Sequence, residues 1–215
     1  MSGRLSVRDT FLVAAGSAAG LVRHPRVVES WGASSALPKM SVGALATHLA
    51  AQVLTTQQLV IAPPVAEAPI TLLEHYARAA WVTAGLDDDA NVSIRAGAES
   101  GSRDGAAALD AQVTEALSAL RASLYAVREP DTVHLPWQGW SLSLDDYLAS
   151  RMMEIIVHSD DLAVSVGIQT PTLPDQVLAP VLGLLVKLSV RKHGQASVVR
   201  ALTRRERAPG DITAF

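Results

Sequence analysis

Apolar residues recur at three- and four-residue intervals along most of this chain, the spacing of helices that bury one face. Leu5, Phe11, Leu12, Ala15, Ala19 and Val22 predict a first helix over residues 5–23, ended by Arg23–His24–Pro25. Residues 30–40, rich in Ser, Gly, Ala and Pro, read as loop. Ser41 then caps a second helix, Val42 to about Val60, and Pro63–Pro64 terminates it. A third helical stretch is expected from Ile70 to Leu86, with Asp87–Asp88–Asp89 as its end. Residues 97–105 (GAESGSRDG) read as a flexible link. A fourth helix follows from Ala106 to Val127, with Leu109, Val113, Leu117, Leu120 and Leu124 as its apolar stripe.

After Pro130 the helical period is lost, and 132–137 with 139–142 form either a short hairpin or a lid. Ser143 precedes the longest unbroken pattern, Leu144 to Val166, which Gly167 closes. Pro174 to Val190 predicts a last long helix, bent at Pro180 and stopped at His193–Gly194. A short helix near 197–202 follows, and Arg204–Arg205–Glu206–Arg207 reads as a solvated end. The apolar positions Val181, Leu184, Leu185 and Leu188 either cover the bundle or form a homodimer face. The expected fold is all-α: a helix bundle over residues 1–167 with one long crossover, and a C-terminal helical extension, 168–215, packed on it.

The polar residues of the 144–166 helix change the picture. Glu154 and His158 are four apart and leave the same face, one turn above the other, with Arg151 and Asp161 sharing it. A carboxylate turned inward is costly unless paired or metal-bound, and carboxylate and imidazole at this spacing can grip one ion from a single helix. A third ligand must come from elsewhere. His24 and His193 sit at helix ends, where a surface His is ordinary. His75 reads as a polar-face residue of its helix, and His134 stands in the extended segment that leads toward a pocket mouth. His48 differs, because small and apolar residues surround it one turn either way. An inward imidazole needs a partner, and the residues alone leave two readings open: a core histidine satisfied by Glu154, or a third metal ligand.

Composition narrows the chemistry. Of 215 residues, 49% are hydrophobic but only 4% aromatic, so Ala, Leu and Val build the core. A net charge of −3 gives no reason to expect nucleic-acid binding. The absence of cysteine excludes disulfides, Cys-ligated metals and cysteine nucleophiles, so any thiol would be brought in from outside. Arg4 and Arg8 before Phe11–Leu12–Val13–Ala14–Ala15 imitate a secretion signal, but Arg23 and His24 interrupt it. No apolar run reaches the ~18–20 residues of a membrane helix, so a cytoplasmic location is expected. No Gly-x-Ser-x-Gly or phosphate-loop motif is present.

The pattern Val42–Gly43–x–Leu45–x–x–His48–Leu49–Ala50, followed by Arg151–x–x–Glu154–x–x–Val157–His158–x–x–Asp161–Leu162, resembles the mycothiol-dependent maleylpyruvate isomerase family of the DinB-like superfamily. The resemblance covers about residues 5–167. It implies a DinB-like four-helix bundle with a divalent metal, most often zinc, held by His48, Glu154 and His158 and open at a fourth position. It further implies that mycothiol or another low-molecular-weight thiol, made nucleophilic at the metal, isomerises or conjugates a small electrophile. Arg151 is then a candidate catalytic residue that binds an acidic substrate or pairs with Glu154. Asp161 is a candidate acceptor behind His158, or a plain helix-surface carboxylate. Two departures stand out: Met40 replaces the Trp that commonly precedes Ser-Val-Gly, and little chain is left for the sterol-carrier-like domain of the namesake isomerase. The alternatives are a non-catalytic metal- or ligand-binding bundle, and a structural bundle whose polar trio is merely hydrogen-bonded.

Overall fold

The computed structural model describes residues 5–215; residues 1–4, with Arg4 of the N-terminal run, lie outside them. Four long helices form the bundle: α1 (Val7–Val22), α3 (Val42–Ile61), α6 (Gly105–Ser123) and α7 (Leu144–Ser165). Both α1 and α3 pack against α6 and α7, so that α6 and α7 take opposite corners. A short helix, α2 (Pro25–Glu29), connects the first pair. No described helix is long and apolar enough to cross a membrane.

Local chemistry starts and stops these helices, at Ser41, Ser143 and Gly167 where the sequence suggests. Ser6 and Asp9 form a reciprocal capping box at α1. Ser41 accepts the Ala44 N–H at the start of α3, and Ser143 accepts that of Asp146 at the start of α7. Gly167, at φ +67°, ends α7, with Ile168 N–H reaching back to the Ala163 carbonyl and Gly167 N–H to that of Val164. This is the left-handed stop that glycine adopts without a Cβ penalty. Phe11, Leu45, Leu49, Leu120, Leu148 and Met152 are among the fully buried side chains of the core. Each contributes roughly 1.5–3 kcal/mol by leaving water.

The connection from α3 to α6 departs from expectation. In place of one helix over 70–86, the chain makes α4 (Leu72–Arg78), a 3-10 turn at Ala80–Val82, and α5 (Asp89–Gly101). Asp88 and Asp89 therefore begin a helix where a helix end was expected. Most of the segment read as a flexible link is the last part of α5 and the turn after it. The reason is tertiary: Glu99 accepts the backbone N–H of Ser41 at 2.8 Å and its hydroxyl at 3.0 Å, tying α5 to the start of α3. The fourth helix also stops earlier than expected, at Ser123.

The segment after Pro130 is a hairpin. Strands β1 (Thr132–Leu135) and β2 (Trp140–Ser143) pair antiparallel, with Leu135 opposite Trp140. Beyond α7, α8 (Asp175–His193) lies against α7 and α1, and α9 (Gln195–Thr203) packs on α8. Val181, Leu184 and Leu188 are buried in the common core and Leu185 packs against it, so this stripe covers the bundle. Residues 204–207 are exposed, but the chain then turns back: Ser189 donates to the Ile212 carbonyl at 2.7 Å, and the Phe215 ring packs at a tilt against Trp81.

Candidate metal centre

Two bundle helices bring the polar residues together. His48 stands on α3; Arg151, Glu154, His158 and Asp161 stand on successive turns of the facing α7. The Nε2 atoms of His48 and His158 are 3.2 Å apart, and His158 Nε2 lies 3.1 Å from a Glu154 carboxylate oxygen. One donor atom from each of the three residues lies within 4.8 Å of the others. On its far side, His158 Nδ1 meets Asp161 Oδ2 at 3.0 Å, so Asp161 stands behind the imidazole.

The protons follow from these contacts. His158 donates from Nδ1 to Asp161 and from Nε2 toward Glu154 and His48. Burial works against its charge, but the hydrogen bonds to Asp161 and Glu154 prevail and raise its pKa to about 9. Burial and the neighbouring His158 cation push His48 down to about 4, so its Nε2 presents a lone pair. Burial opposes the charge on Glu154; the hydrogen bond from His158 and the nearby Arg151 cation outweigh it and hold the carboxyl below its usual range.

These three donors fit a divalent metal. Bonds of about 2.0–2.1 Å at a tetrahedral centre place neighbouring donor atoms roughly 3.3 Å apart, close to the 3.2 and 3.1 Å separations on His158 Nε2. Two imidazoles and one carboxylate are a usual open-site donor set, and Asp161 stands where a carboxylate would orient His158 as a ligand.

Arg151 does not pair with Glu154. Its Nη1 donates to Gln52 Oε1 at 2.7 Å and its Nε to Ser150 Oγ at 3.1 Å. Gln52, one turn past His48, is 4% exposed and also donates to the His48 carbonyl, linking the two helices beside the trio. Its partner lies 99 residues away in the chain, beyond the reach of local sequence signals.

His48, Glu154, His158, Arg151 and Gln52 all line one cavity of about 510 Å³. Its other walls come from Leu86, Ile94 and Arg95 of the crossover, Trp137 and Gln138 of the hairpin, Trp81, Met40 and the returning Phe215. His75 also lines it: the residue is 3% exposed, not on a solvated helix face. His134 is not part of the cavity and lies near Glu67 and Ser141 on β1. His24 caps α2 by accepting the Arg26 N–H, and His193 meets the Thr213 carbonyl.

The model of the mycothiol maleylpyruvate isomerase N-terminal domain matches residues 13–163. The chain belongs to this family. The matched span contains all four bundle helices save the ends of α1 and α7, and every polar residue of the trio. Family membership points to mycothiol-related, isomerase-like chemistry on a helical DinB-like domain. No curated protein and no solved structure matched the chain.

Proposed function

We propose that this protein is a metal-dependent enzyme that uses a low-molecular-weight thiol, mycothiol or one like it, to isomerise or conjugate a small electrophile. The observation that carries the reading is the convergence of His48, Glu154 and His158 at the wall of a cavity, in a chain of this family. A divalent ion held by these three residues, zinc by preference, would supply a Lewis acid of net charge about +1 that favours a bound sulfur as thiolate.

The chain's own residues do the rest. Asp161 holds the His158 ring by its Nδ1–H and keeps Nε2 aimed at the site. Gln52 fixes Arg151, whose guanidinium faces the cavity as a fixed positive charge for an acidic substrate. The largely apolar walls would limit the water around the thiol and the electrophile. Residues 168–215 belong to this design as an extension that closes one side of the bundle and brings Phe215 to the cavity.

A second reading has one observation in its favour: the trio is already hydrogen-bonded to itself, so it satisfies a polar core without an ion. Metal content by mass spectrometry on untagged wild type, His48→Ala and Glu154→Ala separates the two. About one ion per chain, lost in both variants, supports the proposal. No metal in fresh protein and none taken up from added zinc overturns it in favour of the polar core. Bound metal without turnover of any thiol would leave a non-catalytic metal-binding protein.

A further inference from the structure

His75 shares the cavity with the trio but belongs neither to it nor to the Arg151–Gln52 pair. It stands on α4, and its Nδ1 lies 3.2 Å from the indole Nε1 of Trp140 on β2. An indole nitrogen only donates, so Nδ1 must offer its lone pair and the ring's single hydrogen sits on Nε2. A doubly protonated ring would set N–H against N–H. Burial, with the Arg151 charge nearby, also lowers the His75 pKa to about 4. The result is a neutral imidazole held in one tautomer by a tryptophan.

The Nε2–H meets no acceptor among the described residues, yet it is not one of the sealed polar atoms of the interior. In a ring 3% exposed that lines the cavity, its open side is the cavity. Arg151 is in a similar state, for Nε and Nη1 are engaged and Nη2 has no partner among the described residues. Both groups can only donate. Around them the lining is largely apolar, and the Trp81 and Phe215 ring centroids are 5.0 Å apart.

The geometry points to His75 and Arg151 as paired donors for a carbonyl or carboxylate oxygen of an amphipathic ligand, whose apolar body packs on Trp81 and Phe215. His75 is thus a specificity-determining residue that selects an oxygen acceptor, and Trp140 is the residue that positions it. This deepens the proposed function and rests on it only in taking this ligand for the electrophile; the subsite itself requires no metal.

The test uses trans-cinnamate, an unsaturated carboxylate with an aromatic body, and the full chain in metal-free and zinc-loaded forms. His75→Asn keeps an acceptor for Trp140 near the Nδ1 position and removes the Nε2 donor, whereas His75→Gln retains a donor near Nε2. Calorimetry is expected to give about tenfold weaker binding for His75→Asn, the loss usual for a hydrogen bond to a charged group, and partial recovery for His75→Gln. Phe215→Ala is expected to weaken binding as well. In wild type, the ¹⁵N resonance of His75 Nε2 is expected to shift on binding while that of Nδ1 stays in place, a readout that does not depend on any variant folding. Equal affinity of wild type and His75→Asn, or an unmoved Nε2 resonance at saturation, overturns the assignment. Cinnamate bound through His75 in a protein that takes up no zinc supports the subsite and overturns the metal reading. Zinc bound with no response at His75 does the reverse.

Discussion

The Nε2 atoms of His48 and His158 face each other across 3.2 Å, one without a proton and one with it. An ion in the trio must replace that proton. At pH 7.5 zinc binding is therefore expected to release about one proton per ion, and apparent affinity should climb with pH until His158 titrates near 9. Calorimetry in buffers of different ionisation enthalpy checks this, and binding without proton release would mean that His158 is already neutral.

The same two rings, with the buried His75 adding to the acid side, shape the pH profile of the metal-free protein. The pKa of His158 is raised from 6.5 to about 9, so its contribution to stability is complete below about 6.5 and is lost as pH rises through 9. That of His48 is lowered to about 4, so its contribution is complete above about 6.5 and is lost as pH falls through 4. The melting temperature of the apoprotein should peak between pH 6 and 7 and decline on both sides. A flat profile to pH 9.5 would contradict the His158 ion pairing.

Among the described residues the Asp161 side chain hydrogen-bonds His158. Replacing it with Ala is expected to lower metal affinity about 10- to 100-fold while leaving the trio's identity intact. Competition with a chelator measures the loss, and unchanged affinity would make Asp161 a plain surface carboxylate.

The Tyr76 hydroxyl is buried with no partner among the described residues, and burial drives its pKa upward. An unsatisfied buried hydroxyl costs about 1–3 kcal/mol, so Tyr76→Phe should leave stability unchanged or raise it. Chemical denaturation decides, and a clear loss would reveal a water or ligand that meets this oxygen.

Gly43 is needed for space. A Cβ there would stand 2.6 Å from the Trp31 indole, whose N–H is held by the Ser102 carbonyl at 3.0 Å. Gly43→Ala should destabilise the protein by about 1–3 kcal/mol through overpacking next to the helix that carries His48. The denaturation midpoint measures it, and a neutral result would mean that Trp31 moves aside freely.

Local signals carried much of the reading. The period of the 144–166 segment with Ser143 before it and Gly167 after it predicts α7 almost to the residue, because caps and stops act over a few positions. The same reasoning failed over 70–105, where one helix to Leu86 and a link at 97–105 are expected: the turn at 80–82 breaks the first, and Glu99 ties a further helix, running to Gly101, to Ser41. It also missed His75, since nothing in Glu74–His75–Tyr76 tells which face of a short helix a hairpin tryptophan will cover.

From the sequence alone came the helical class, the starts of α3 and α7 at Ser41 and Ser143, the stop at Gly167 and the shared face of Glu154 and His158, all set by neighbours within a turn or two, and, from two motifs far apart in the chain, the family. Only the tertiary structure decided which side chains meet across the chain: His48 with His158, Gln52 with Arg151, Trp140 with His75, and Phe215 with Trp81. A helical period fixes the face on which a residue stands. The packing of one helix on another fixes what that face meets, and that packing depends on the whole core at once.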